Sequence, residues 1–507
     1  MSRTCGVLLP IASLPSKQGI GCFSRDAYAF VDFLAEAGQS LWQILPIGQT
    51  GYGDSPYQSF STFAGNPYFI DLEELVAAGY LEEADVTGAD FGSDPEHIDY
   101  EKLYFHFYPV LEKAYQNSPY ALHPDKKYDT PAYDKERADF EDFIRTNADW
   151  LDDYALYSAV KEAQGGKSYI EWEEDIRTRQ PEAMERYRKE LAEKIREIQF
   201  QQYLFFGQWR KLKSYANKKG IRIVGDIPIY VAFDSADTWS HPELFEFDEK
   251  GYPIVVAGCP PDGFSATGQL WGNPIYRWDY HKKTGYAWWL KRLSACFELY
   301  DVVRIDHFRG FDEYWAVPYG DPTAENGKWM PGPGIDLFRT VKKQLGKKEI
   351  IAEDLGFMTP SVIKLVKDSG YPGMKVLQFA FDSREESDYL PHNYKNNCVV
   401  YTGTHDNETM RGWYEHVDRR DKAFARRYLD IHSTKDIAWK FIRCAFMSVA
   451  DTAIIPMQDY LNLGDEARIN TPSTLGGNWV WRMRDDACTA ELAKKMCVLA
   501  KTYGRKK

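Results

Sequence analysis

Val302-Val303-Arg304-Ile305-Asp306-His307-Phe308-Arg309-Gly310-Phe311 is an apolar run that delivers an Asp-His pair where it turns polar. A buried parallel strand presents a carboxylate at its carboxyl end in this way, so Asp306 is the candidate reacting residue. A second reading stays open at this point: a buried Arg304–Asp306 ion pair that only holds a barrel together. Deciding between them takes the rest of the chain.

The 507 residues, 44% of them hydrophobic, are enough for one large barrel with insertions or for two to three domains. A formal charge of -13 and Lys/Arg clusters that alternate with acids argue against nucleic acid as a partner and favour a neutral substrate. With 15 Trp, 34 Tyr and 28 Phe the chain has aromatic surface to spare for the flat faces of sugar rings as well as for a core. Its 8 Cys show no C-x-x-C pairing, and Met1-Ser2-Arg3-Thr4-Cys5 runs straight into a strand-like segment. Reduced thiols in a cytoplasm are therefore expected. No apolar run reaches membrane-spanning length, so no membrane partner is expected.

Seven more runs resemble the first in ending on polar residues: Gly6 to Leu9, Leu41 to Ile47, Ile221 to Ile229, Glu349 to Ala352, Val376 to Phe379, Cys398 to Tyr401 and Ala453 to Met457. Helix-period stretches separate them, which predicts a (β/α)8 TIM barrel. An open doubly wound sheet is the alternative, but no G-x-G-x-x-G opens a helix after a strand. From Leu72 to about Ser214 the pattern is charged and helix-periodic, so the expected organisation is barrel over 1–71, a mainly helical insertion over 72–214, and barrel again over 215–507. The loop Gly51-Tyr52-Gly53-Asp54-Ser55-Pro56-Tyr57-Gln58-Ser59-Phe60-Ser61, running on to Asn66-Pro67-Tyr68, is too long and polar-aromatic for a plain connector. It reads as a ligand wall or as an Ω-loop packed on itself.

Asp226 ends the third run, Glu353-Asp354 follows the fifth, and His405-Asp406-Asn407 follows the seventh. On one barrel these acids converge on one mouth, and paired carboxylates there suit glycosyl chemistry: one attacks the anomeric carbon while another protonates the leaving oxygen. Asp306 in R-I-D-H-F-R-G, Glu353 in A-E-D-L-G and Asp406 in T-H-D-N resemble the catalytic triplet of the α-amylase superfamily. With G-Y-G-D-S-P-Y-Q-S-F-S and P-P-D-G-F-S-A-T-G-Q-L-W-G-N-P, the chain resembles the amylomaltases, a family of 4-α-glucanotransferases, from Gly6 to Arg482. The resemblance implies Asp306 as nucleophile, Glu353 as acid/base and Asp406 as the stabiliser that grips ring hydroxyls. It implies Arg304 as the charge partner of Asp306, and Asp226, His307 and His405 as groups that orient sugar hydroxyls or neighbouring carboxylates. Ser55, Tyr57 and Asn470 match positions that line the family's cleft. For Asp226 a purely structural pairing with Arg304 remains equally open, and each histidine is open to a supporting role.

The segment 257–274 resembles the lid that overhangs the amylomaltase cleft and would exclude water from the covalent ester, with a rigid connector as the alternative reading. The family often has an aromatic where this chain has Gly263, so only Phe264 of that pair remains to grip acceptors. Too few residues follow the eighth run for a C-terminal β-sandwich, and no calcium-loop spacing is present, so the expected enzyme needs neither metal nor cofactor. The leading expectation is transfer between maltooligosaccharides or starch-like glucans. An α-1,4-glucan hydrolase and a non-catalytic glucan-binding protein are the competing readings, and oligomeric state is not legible.

Overall fold

The computed structural model describes residues 3–506 apart from 52, 129, 262–264 and 357. Eight short strands form one parallel sheet: β1 Thr4–Leu8, β2 Leu41–Gln43, β3 Arg222–Ile227, β4 Val302–Ile305, β5 Ile350–Ala352, β6 Gly373–Val376, β7 Cys398–Tyr401 and β8 Thr452–Pro456. Hydrogen-bonded neighbours follow β6-β7-β8-β1-β2-β3-β4-β5, which is chain order wrapped on itself, the order of a (β/α)8 barrel. The ring closes without a regular ladder. Ala352 N–H donates to Pro372 O at 2.9 Å, and the Asp354 carboxylate accepts Met374 N–H at 2.7 Å. Glycine is required beside this seam, because a Cβ on Gly373 would meet the Asp354 carboxylate at 2.2 Å.

Side chains alternate along each strand, and the inward row from all eight strands packs into one core: Leu8, Leu41, Val224, Val302, Ile351, Met374, Val376, Val399, Tyr401 and Ile454. The outward row, including Val7, Ile223, Val303, Ile350 and Val400, joins the larger core under the helices. The same alternation turns Asp226, two residues after Val224, to the interior, and likewise Arg304 and Asp306 after Val302. Each aliphatic side chain removed from water contributes roughly 1.5–3 kcal/mol, which offsets the cost of sinking an ion pair among them.

Between β2 and β3 the only regular elements among the described residues are helices, beside isolated bridges at Thr50–Ser59 and His97–Trp481. Part of this region has its own core, with Leu151, Tyr154, Tyr157, Trp172, Ile176 and Ile198 at its centre. The helix Ala192–Lys218 joins the two cores: Ile198 sits in this one, while Phe205, Trp209, Leu212 and Ala216 sit in the barrel core. The charged, helix-periodic region closes on two helices, Pro181–Glu190 and Ala192–Lys218, parted at Leu191.

Two further differences from the sequence reading have physical causes. The sixth strand is Gly373–Val376, and Leu377–Phe379 is a 3-10 turn. Lys375 breaks the apolar run because the strand alternates, so the run's continuation into the turn drew the expected strand three residues too far. A second sheet was not foreseen: Gln269–Pro274, Val255–Cys259, Glu313–Pro318 and Lys328–Pro331 pair antiparallel in that order. Its strands leave the barrel on either side of β4, so the ends of segment 257–274 are ladder, not loop. After β8 only helical elements follow among the described residues, ending with Ala490–Thr502, and no helix is long and apolar enough to cross a membrane.

Candidate active site

The residue after β4 is Asp306, whose N–H donates to Ile227 O at 2.9 Å, and the next residue, His307, turns the chain sharply with φ 51 and ψ 48. The left-handed turn takes the backbone out of the sheet and leaves the Asp306 carboxylate at the barrel mouth, 30% exposed. Beneath it Arg304 is nearly sealed at 3%. It donates through Nη2 to Asp306 Oδ1 at 3.0 Å and through Nη1 to Asp226 Oδ2 at 2.5 Å. Asp226 has no exposed surface, so in this structure it and Arg304 stand behind Asp306 rather than at the cleft surface. Burial pushes the Asp226 carboxyl upward while Arg304 opposes it.

The chain of bonds continues across the mouth. Tyr57 OH donates to Asp226 Oδ2 at 2.7 Å and lies 2.9 Å from His405 Nε2, with its ring stacked on the His405 ring. His405 Nε2 in turn lies 3.3 Å from Asp406 Oδ2, and Asn470 Nδ2 donates to Asp406 Oδ1 at 2.6 Å. Ser55 shapes the turn that aims Tyr57, since its Oγ accepts the Tyr57 N–H at 3.3 Å. A Thr50–Ser59 bridge folds this loop on itself, while Tyr57 reaches from it to Asp226 and His405.

Glu353 is the first residue after β5. Its backbone is fixed on both sides, by Glu353 N–H to Ile305 O at 3.1 Å and Phe308 N–H to Glu353 O at 3.0 Å. Its carboxylate accepts His307 N–H at 2.7 Å and Leu355 N–H at 2.8 Å. Burial, then repulsion from Asp306, pushes the Glu353 carboxyl up to about 7 against the pull of Arg304 and the two amides. Asp406 goes the other way. Burial alone would raise it, but His405, Asn470 and Arg304 together hold it well below the usual carboxylate range. For His405, burial acts downward and the Asp406 carboxylate outweighs it, raising the imidazole. His307 is pushed down to about 4 by burial despite Asp306 beside it, so its ring is neutral near pH 7. Trp271 meets that ring edge-on at 4.8 Å.

Of the residues singled out from sequence, Asp306, Arg304, Asp226, Tyr57, His405, Asp406 and Asn470 fall into this one bonded set, with Ser55 supporting it and Glu353 and His307 beside it. Gly263 and Phe264 lie outside the described residues. Arg468 was missed: it donates to Asp406 O at 3.0 Å and to Asn470 O at 2.8 Å, and no motif marks it. Among the described residues one trio has metal-ligand geometry, Glu408, His416 and Asp465, with ligand atoms within 4.8 Å of one another. Its Glu408 follows Asp406 by two residues, and His416 is already ion-paired to both acids, at 2.7 and 3.3 Å.

Residues 9–489 match the family described as 4-alpha-glucanotransferase. The chain belongs to that family. The 4-alpha-glucanotransferase of Clostridium butyricum is 50% identical over 497 residues, covering 98% of this chain and 99% of the relative. The Thermus thermophilus 4-alpha-glucanotransferase is 45% identical over 512 residues, covering 100% and 99%. Among solved structures, amylomaltase from Streptococcus agalactiae in complex with acarbose superposes with a TM-score of 0.94 at 43% identity over 100% of both chains. Family membership and the barrel agree with what the three acid motifs and two loop motifs imply.

Proposed function

We propose that the barrel mouth performs retaining 4-α-glucanotransfer, with Asp306 as nucleophile, Glu353 as acid/base and Asp406 as the group that grips ring hydroxyls. Arg304 occupies one oxygen of Asp306, leaving the other to attack the anomeric carbon. As the C1–O4 bond breaks, the Glu353 proton passes to the departing oxygen, and the donor remains as an ester on Asp306. The ester removes the negative charge that helped raise Glu353, so the deprotonated carboxylate is now suited to act as base. It accepts the proton of an acceptor 4-hydroxyl as that oxygen bonds to C1 and the ester opens, which restores both carboxyls. Asp406, held ionised by His405 and Asn470, favours the positive charge that develops on the ring. Tyr57, His307, His405 and Asn470 orient sugar hydroxyls, and Ser55 supports Tyr57.

The observation that carries this reading is that neighbouring strands β4 and β5 deliver Asp306 and Glu353 to one mouth, where the Glu353 carboxylate accepts the N–H of His307 next to Asp306 and Asn470 holds Asp406. Glu353, pushed up to about 7 by burial and Asp306, suits the acid. Donor and acceptor are maltooligosaccharides or starch- and glycogen-type glucans. The eight free cysteines fit a reducing cytoplasm. Incubation with maltotriose tests the activity: glucose plus a ladder of longer chains, at a constant number of reducing ends, is expected. Steady growth of reducing ends would replace transferase by hydrolase.

A further inference from the structure

The turn that carries Asp406 and the segment that carries Asn470 come from opposite sides of β8, and four hydrogen bonds hold them as one piece, three between the two and one within the Asn470 segment. Asn470 N–H donates to His405 O at 3.1 Å, and Asn470 Nδ2 to Asp406 Oδ1 at 2.6 Å. The other two come from one side chain: Arg468 Nη2 donates to Asp406 O at 3.0 Å and Arg468 Nε to Asn470 O at 2.8 Å. Both acceptors are main-chain carbonyls, so the guanidinium here fixes geometry rather than neutralising a carboxylate. A planar fork spans two carbonyls in fixed directions; a lysine ammonium is a point donor and holds one of them well.

We propose that Arg468 is a positioning residue for the transfer reaction: it locks the Asp406 and Asn470 main chains in register, so that carboxylate and amide meet the sugar as one unit. This rests on the assignment of Asp406 above. The segment is anchored independently of Arg468. Ile469 is buried and its carbonyl accepts Trp479 N–H at 2.7 Å, Gln458 Nε2 donates to Ala467 O at 3.2 Å, and Asp465 Oδ1 accepts Thr409 N–H at 3.0 Å. Loss of the fork therefore leaves the segment attached and slackens only its register against Asp406.

The test compares full-length wild type, Arg468→Gln, Arg468→Lys and Asp406→Asn on maltotriose, with kcat, KM and pH profiles measured alongside the melting temperature. For Arg468→Gln a fall in kcat of about 10- to 100-fold is expected, since a displacement of order 1 Å costs that much. KM changes less, and the acid limb of kcat/KM moves to higher pH as Asp406 loses part of the donor set that holds it ionised. Arg468→Lys recovers part of the loss and, should Arg468→Gln fail to fold, carries the same test through its own kcat and acid limb. An unchanged kcat and pH profile in Arg468→Gln beside an inactive Asp406→Asn overturns the proposal alone, as does a loss that only tracks the unfolded fraction. Wild-type kcat in Asp406→Asn overturns the assignment of Asp406 and the proposal with it.

Discussion

Asp406 and Glu353 sit at the ends of β7 and β5, both are taken out of water, and burial pushes both upward. Their outcomes are opposite. Asp406 faces a histidine and an amide that, with the Arg304 guanidinium, reverse the effect of burial; Glu353 feels the same guanidinium and accepts two backbone amides, but another carboxylate faces it and burial wins. The comparison teaches that depth in the barrel does not assign the roles. What assigns them is whether the neighbouring strand end brings a donor or an acid.

Removing the acid that raises Glu353 is the harshest way to break this contrast. Asp306→Asn deletes the proposed nucleophile and is expected to lower kcat on maltotriose by roughly 10^4-fold or more. Next, Glu353→Gln should cost about 10^3-fold on maltotriose yet spare ester formation from a maltosyl fluoride, whose leaving group needs no proton; equal loss on both donors would refute its acid role. The same variant sharpens the electrostatic side. Glu353 binds its proton more tightly folded than unfolded, so the stability it contributes is full below about pH 4.5 and lost as pH rises through about 7. Glu353→Gln should therefore gain roughly 1–3 kcal/mol over wild type at pH 8 relative to pH 4, read from denaturant midpoints. The smallest effect is expected of Asn470→Ala, which removes one charge-assisted bond from Asp406. A loss of about 10-fold in kcat/KM with the acid limb shifted upward is expected, and an unmoved limb would detach Asn470 from Asp406's electrostatics.

Much of this was legible before any coordinates. Val302 to Ile305, apolar but for Arg304, is followed at once by Asp306, and the apolar Cys398 to Tyr401 is followed by a short Thr-Gly-Thr-His turn to Asp406, so both strand limits and the acids they deliver could be read directly. The sixth strand was displaced because its alternating Gly-Met-Lys-Val is a weaker signal than the apolar turn after it. The antiparallel sheet was illegible for a different reason. Its strands are short, carry Gly258, Gly272, Pro274 and Pro331, and its central pairing, Val255–Cys259 with Glu313–Pro318, spans an interval that contains β4 itself. Asp226 could be placed beside Arg304 but not assigned a depth, since only the assembled barrel shows that it has no exposed surface. Arg468 was missed because its partners are main-chain carbonyls, which have no counterpart in the side-chain pattern.

The seam between β5 and β6 has a mechanical meaning. β4, which delivers Asp306, is laddered on both sides, to β3 and to β5, whereas β5 is laddered to β4 alone and meets the next strand through one main-chain bond and the Asp354 carboxylate. A ring with a single seam is an elastic body with its compliance gathered at one place. Here that place flanks Glu353, the proposed acid/base, whereas Asp306, the proposed nucleophile, follows a strand laddered on both sides.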